Sequence, residues 1–367
     1  MKKLFILATC LFIIACENSS QKDVRVTIPI DGKQNFSSID NIVSKMRVLT
    51  LESADNVVLS SDNIVKCNED YIVIIDRLHS GQIHIFNIDG SYRATIAAKG
   101  RGPNEYLDMA SVQLSDDSIM IYSYHKQAVL YYDYNGKFIE SDQLEYKPYN
   151  LHKTDNGYWG YVGFGSGQMK ERVVKMDGNG AIIDKYLPTK AKIYSVTEIN
   201  DIFIECAEGI LVRESLMNEI SIINDNGASS YMSFDFGKYT IPSQYYEYSD
   251  PMKAAKMLFA TDFAMIFVLK QGLIMYVSRN MQGAEQSSDV VAIMRNGEWI
   301  CIETNKEDAL LHKSVKGVTN NDEIVLLQDE ASIRTFAEQH SKLLPAVELK
   351  NISNNDDKYH IVLCQLK

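Results

Sequence analysis

Four side chains able to recognise a ligand fall close together in KGRGPNEYL (99–107): Arg101, Asn104, Glu105 and Tyr106. Arginine and tyrosine suit recognition of peptides or sugars, because each presents donors on a broad, stackable body. Arg101 and Glu105 are close enough in sequence to pair, and Tyr106 can pack its ring while its hydroxyl stays wet. A second tyrosine-dense stretch, IPSQYYEYS (241–249), adds Tyr245 and Tyr246 as candidate contacts. The same nine residues also suit a purely structural crossing between two sheets. Gly100 and Gly102 permit backbone angles closed to other residues, and Pro103 biases Gly102 toward an extended or turn shape. Both readings stay open at this point.

Other chemistry has its residue types but not its spacings. The seven histidines form neither HxH nor HExxH, and a zinc site needs three or more convergent ligands. The acidic turns 177–180 and 224–227 lack the spacing and terminal glutamate of a calcium loop, and hairpins need such residues anyway. GFGSGQ (163–168) is not GxSxG and has no phosphate-loop lysine. No catalytic residue, metal ligand or cofactor is assigned. Cys67, Cys206, Cys301 and Cys364 lie in or beside apolar runs without a CxxC pattern. Free thiols packed as small hydrophobes are expected, although four cysteines in an exported chain allow three pairings. A net charge of −11 over 367 residues argues against nucleic acid or anionic lipid surfaces as partners.

The elements that must hold these residues are short and alternating. YIVIID (71–76), QIHIFNI (82–88), SIMIYSY (118–124), AVLYYDY (128–134) and EISIIND (219–225) read as antiparallel strands. Asp89-Gly90, Asn135-Gly136, Asn179-Gly180, Asn226-Gly227 and Asn296-Gly297 sit between strand-like runs and suit tight hairpin turns. A second turn series lies out of phase, at 69–70, 116–117, 155–157, 208–209, 271–272 and 321–322. Two series at a period of about 45 residues give four strands per repeat, the mark of a propeller blade. Six members predict an all-β, six-bladed β-propeller, with a large β-sandwich as the competing fold. The sixth blade has no Asn-Gly turn. Its last strand is expected from MRVLTLES (46–53) beside YHIVLCQLK (359–367), a closure that removes free edges. A helical insertion is expected near 240–262, where Asp250 and Pro251 open MKAAKMLFA between blades four and five. A second helix, near 330–344, has Ile333, Phe336, Ala337 and Leu344 on one face and should pack over the last blade. KGRGPNEYL falls at the crossing from blade one to blade two.

The chain begins MKKLFILATCLFIIACENSS. Lys2 and Lys3 precede an apolar run from Leu4 to Ile14, too short as a helix for a hydrocarbon layer of about 30 Å. It reads as a secretory signal. Ile13-Ile14-Ala15-Cys16 resembles the lipobox of bacterial lipoproteins, which implies cleavage before Cys16 and lipidation of its sulfur. Gly100 to Tyr106 resembles the GRGPGEY-type motif of six-bladed β-propeller lipoproteins of anaerobic Gram-negative gut bacteria. Asn104 stands where that motif has glycine, and asparagine tolerates a left-handed turn. More distantly the chain is similar to NHL-like and TolB-like propellers. The resemblance implies residues 1–15 as signal peptide, 16–40 as lipidated tether and lead-in, and 41–367 as one propeller. It also implies a cell-envelope protein, lipid-anchored to the outer membrane. The loop residues themselves point to a module that binds or scaffolds a peptide, glycan or protein partner at one propeller face. The alternative is a propeller hydrolase or lyase using channel acids, with or without a metal.

Overall fold

A computed structural model describes residues 24–28, 36–55, 57–163, 169–189, 201–214, 217–224, 227–247, 261–269, 272–279, 288–295, 297–304, 315–350, 352 and 358–367. The chain enters through β1 (Val24–Thr27), a short helix α1 (Ile39–Ile42) and β2 (Val43–Leu49). Blade one is β3 (Ile64–Cys67), β4 (Tyr71–Asp76), β5 (Gln82–Asn87) and β6 (Tyr92–Ile96). Blade two is β7 (Ser111–Leu114), β8 (Ile119–Ser123), β9 (Ala128–Tyr132) and β10 (Phe138–Gln143). Blade three is β11 (Asn150–Thr154), β12 (Gly157–Tyr161), β13 (Glu171–Met176) and β14 (Ile182–Pro188). Blade four is β15 (Phe203–Cys206), β16 (Gly209–Arg213), β17 (Glu219–Asn224) and β18 (Gly227–Asp235). Blade five is β19 (Thr261–Leu269), β20 (Gly272–Arg279), β21 (Ser288–Arg295) and β22 (Glu298–Thr304). Blade six holds β23 (Val315–Val318), β24 (Glu323–Asp329), helix α2 (Glu330–Gln339) and β25 (Tyr359–Leu366).

Each blade is antiparallel, and the first strands face the axis: β23 lies beside β3, β7 beside β11, and β19 beside both β15 and β23. The fold is a six-bladed β-propeller. The middle strands are buried on both faces because blades stack on either side. Val73, Ile75, Ile83 and Ile85 of blade one pack against Val112, Ile119, Ile121 and Leu130 of blade two. That double burial explains why YIVIID and SIMIY are continuous apolar runs. The hairpin turns have the expected backbone, with φ of +87° at Gly90 and +77° at Gly136. Closure is also as expected. β2 pairs antiparallel with β25, Met46 opposite Cys364 and Val48 opposite Val362.

Three features differ from or refine the sequence reading. The lead-in contributes sheet: β1 pairs in parallel with β18, Val24 opposite Met232 and Val26 opposite Phe234, as a fifth strand of blade four. Further on, Phe36 bridges Cys301 of β22, and Ser37 N donates to Cys301 O at 2.8 Å. The segment thus touches the outer edges of blades four and five before becoming the outermost strand of blade six. The expected helix over 330–344 ends at Gln339, yet Leu343 and Leu344 reach the same core from the turns that follow. Asp329 starts it, its side chain accepting from Ser332 N at 2.8 Å. Between blades four and five, 3-10 turns cover Gly237–Tyr239 and Ser243–Glu247, and MKAAKMLFA lies outside the described residues. The four cysteines are free and sit on four different blades, Cys301 and Cys364 buried, Cys67 and Cys206 half-buried. Among the described residues no helix is long and apolar enough to cross a membrane.

Candidate functional site

Antiparallel blades place the turns between first and second, and third and fourth, strands on one face of the ring. The remaining loops and the blade-to-blade links share the other. KGRGPNEYL links β6 to β7 and so lies on this loop face. Its fold follows from three inward contacts. The Glu105 carboxylate turns back to accept from Gly102 N at 2.7 Å. It covers Gly100 so closely that a Cβ there would meet Glu105 Oε2 at 2.0 Å. Tyr106 is fully buried; its hydroxyl donates to Gly81 O at 2.7 Å and burial pushes its pKa up. Lys126, from the β8–β9 loop, donates to the carbonyls of Gly102, Pro103 and Glu105 at 3.0, 2.7 and 2.7 Å. Tyr132 adds a fourth tie, its hydroxyl donating to Asn104 O at 2.6 Å.

The expected Arg101–Glu105 pair is therefore not formed, since Glu105 is engaged by the backbone. The Tyr106 hydroxyl is dry, because two carbonyls, Gly81 O and Ile96 O, take the place of water. Arg101 and Asn104 are exposed, whereas Glu105 and Tyr106 shape the loop from inside. Tyr245 and Tyr246 lie in the 3-10 turn Ser243–Glu247, on the link from blade four to blade five. That link is on the loop face but three blades further round the ring, so the structure does not bring them to Arg101.

Beside the loop stands a patch that sequence alone did not assemble. Tyr124, two residues before Lys126, stacks on Tyr149 with ring centres 5.4 Å apart. The Lys147 ammonium lies 3.9 Å from the Tyr124 ring centre, and His125 meets the same ring edge-on at 5.3 Å. His125 Nδ1 is bonded to Asp108, which also accepts from Ser123 Oγ at 2.8 Å. Tyr149 is legible as a loop tyrosine, but Tyr124 is not. It closes an apolar strand run, and its partner sits in the link to the next blade.

The channel is bridged by paired charges. Lys66 of blade one pairs with Asp201, just before β15 of blade four, across the axis. Burial alone would raise Asp201, but Lys66, with Arg77 and Arg213 nearby, holds it below the usual carboxylate range. Glu205 Oε1 accepts from Gln113 Nε2 at 3.3 Å and lies 3.5 Å from His152 Nε2. Burial, helped by the charge on Lys66, brings His152 down to about 4. Burial likewise lowers Lys316, whose Nζ donates to Ser61 O at 2.5 Å, to about 8. Among the described residues no three His, Cys, Asp or Glu side chains come together to hold a metal ion.

A ring of six blades closed by β2 beside β25, with a tied-down loop and an aromatic patch on one face, defines a six-bladed β-propeller. The chain belongs to the family described as a domain of unknown function, DUF4934, whose profile matches residues 25–357. Its fold is similar to that of a presumed exported protein of Bacteroides fragilis NCTC 9343, at 15% identity. The match covers 94% of this chain and 100% of that one, with a TM-score of 0.73. It is also similar to a member of the DUF4221 family from Bacteroides vulgatus ATCC 8482, at 12% identity. That match covers 91% of this chain and 99% of that one, with a TM-score of 0.56. No curated protein matches the chain.

Proposed function

We propose that this chain is an exported envelope lipoprotein that binds or scaffolds a partner through the loop face of its propeller. The observation that carries the reading is the exposed Arg101 on a rigid frame beside the stacked Tyr124–Tyr149 pair, His125 and Lys147. An exposed arginine on a backbone held in place, next to an aromatic platform, suits a glycan or an extended peptide bearing hydroxyls or a carboxylate. The frame lowers the ordering cost of binding, because Lys126 and Tyr132 already hold the loop. The Tyr246 region stands as a second contact area for a partner broad enough to cross the ring. The leader and Cys16 support an anchor of acyl chains, each CH₂ contributing about 0.8 kcal/mol of membrane affinity.

Screening the full chain against envelope glycans and peptides tests the reading. Arg101→Ala and Tyr124→Ala should each weaken the best ligand about tenfold or more, as buried arginine and tyrosine anchors do. A ligand indifferent to both substitutions would place recognition elsewhere. For the anchor, Cys16→Ala should move the protein from the membrane fraction to the soluble fraction. Retention on the membrane would remove the lipid from the account.

A further inference from the structure

Around the KGRGPNEYL loop the two signs of charge are disposed differently. Glu105 accepts from Gly102 N, and Asp108 accepts from Ser123 Oγ at 2.8 Å, from His125 N at 3.2 Å and from the His125 ring. Both carboxylates are thus turned into the loops that they brace. The cations are not. Arg101 is exposed and has no hydrogen-bond or ion-pair partner among the described residues. Lys147 rests on the Tyr124 ring and makes no ion pair among the described residues. Lys126 joins the two loops, since it follows His125 and donates to Gly102 O, next to Arg101. Glu145, two residues before Lys147, is exposed, but its N–H donates to Asn179 O at 3.0 Å, which places its backbone beside the outer turn of blade three. His125 adds the opposite kind of hydrogen-bonding group. Asp108 holds its Nδ1, and the side chain is 69% exposed, edge-on to Tyr124. A carboxylate at Nδ1 assigns the proton to that nitrogen, so Nε2 of the neutral ring is an acceptor facing solvent.

We propose that the loop face binds an acidic glycan, one that carries uronic acid carboxylates beside free hydroxyls. The inference deepens the reading of the loop face and rests on it. Arg101 and Lys147 supply donors for a carboxylate, Arg101 with a planar fork that matches its two oxygens. His125 Nε2 accepts from a sugar hydroxyl. The Tyr124–Tyr149 pair, half-buried, offers an amphipathic wall for the ring of a sugar. An acidic peptide would satisfy the cations alone. Its other anchors need apolar contacts, and Met109, Leu144 and Pro148 of these segments are buried. A chain with a net charge of −11 repels anions at long range, so contacts at short range must carry the recognition.

Isothermal titration of the full chain with trigalacturonate, trimannuronate and a hyaluronan tetrasaccharide, each beside its methyl ester, tests the proposal. At least one acid should bind about tenfold or more tightly than its ester, the worth of one charge-assisted contact. Arg101→Gln combined with Lys147→Gln should bring that acid and its ester to about equal affinity. Arg101 is exposed, so Arg101→Gln carries the test even if the Lys147 variant fails to fold; alone it should cut the preference about threefold or more. His125→Leu should weaken acid and ester alike, because it removes an acceptor for a hydroxyl. No binding, no preference for any acid over its ester, a preference untouched by Arg101→Gln, or triglutamate bound as tightly as the best saccharide would each overturn the proposal. Tyr124→Ala separates that failure from failure of the loop-face reading. Esters or triglutamate that lose about tenfold in Tyr124→Ala would keep the face as a binding site and remove the uronate from it. Ligands indifferent to Tyr124→Ala and Arg101→Gln would remove both.

Discussion

Lys126 is surrounded by three carbonyl oxygens of one loop, so removing its ammonium takes their shared donor from the Pro103 and Glu105 carbonyls and leaves Gly102 O only the Glu105 N–H at 3.3 Å. Lys126→Met should cost about 2–3 kcal/mol of stability, read as a lower urea midpoint with unchanged slope. Gly100→Ala should cost about 1–2 kcal/mol, because the new methyl evicts the Glu105 carboxylate from its place on Gly102 N. Most of that cost should vanish in a Glu105→Ala background, and a double-mutant cycle measures the difference. His152 predicts a pH effect. Its pKa falls from 6.5 to about 4 on folding, so the unfolded chain binds the proton more tightly. Stability from this group is complete above about pH 6.5 and is lost as pH falls toward 4, on the order of 3 kcal/mol. Thermal unfolding followed across that window should show a shallower acid limb in His152→Gln. The glycines and Pro103 mark the loop in the sequence because their effect is on their own backbone. Lys126 leaves no mark, since a loop lysine reads the same whether it faces water or carbonyls. The Tyr106 hydroxyl was misjudged for a related reason: its acceptor, Gly81 O, belongs to another loop.

At the scale of elements, β1 secures the outer edge of blade four, and its two ends differ in kind. Arg25 pairs with Asp235 at 2.7 Å, but Arg25 is 71% exposed and such a pair contributes about 1 kcal/mol or less. Ile28 is buried among Ile220, Phe234 and Phe236. Ile28→Ala should therefore destabilise by about 2–4 kcal/mol and Arg25→Ala by far less, as urea titrations of the two variants would show. A large effect of Arg25→Ala with little from Ile28→Ala would mean the segment is held by charge and not by packing. The outer strands of blades two and three lack such a cover. They expose Glu140, Asp184 and Lys185, charges that discourage pairing with another chain. Hairpin strands were legible because alternation and turn chemistry are local. β1 was not, because four residues give too short a pattern and its partner lies at the far end of a long, parallel pairing. The boundary of α2 was overestimated since Leu344 fits the helical face by spacing while reaching it from a turn.

The whole molecule depends on β25 lying between β24 and β2, so that blade six is assembled from both ends of the chain. This closure was legible because the missing sixth turn left one strand unaccounted for and an unpaired N-terminal strand to fill it. What the ring does to cooperativity can be tested at Met46, which is fully buried on β2 opposite Cys364. Met46→Ala should cost about 2–5 kcal/mol. The two tryptophans sit away from it, Trp159 on β12 of blade three and Trp299 on β22 of blade five. In Trp159→Phe and Trp299→Phe backgrounds each remaining indole reports one blade. Every blade buries its apolar faces against two neighbours, so opening the seam in blade six exposes both flanks and the loss propagates round the ring. Both reporters should then shift to lower denaturant by the same amount when Met46→Ala is added, as one two-state transition requires. A shift at Trp299 with none at Trp159 would mean that the far blades unfold by themselves, as repeats in an open solenoid do, and that the closing strand pair stabilises only its own neighbourhood.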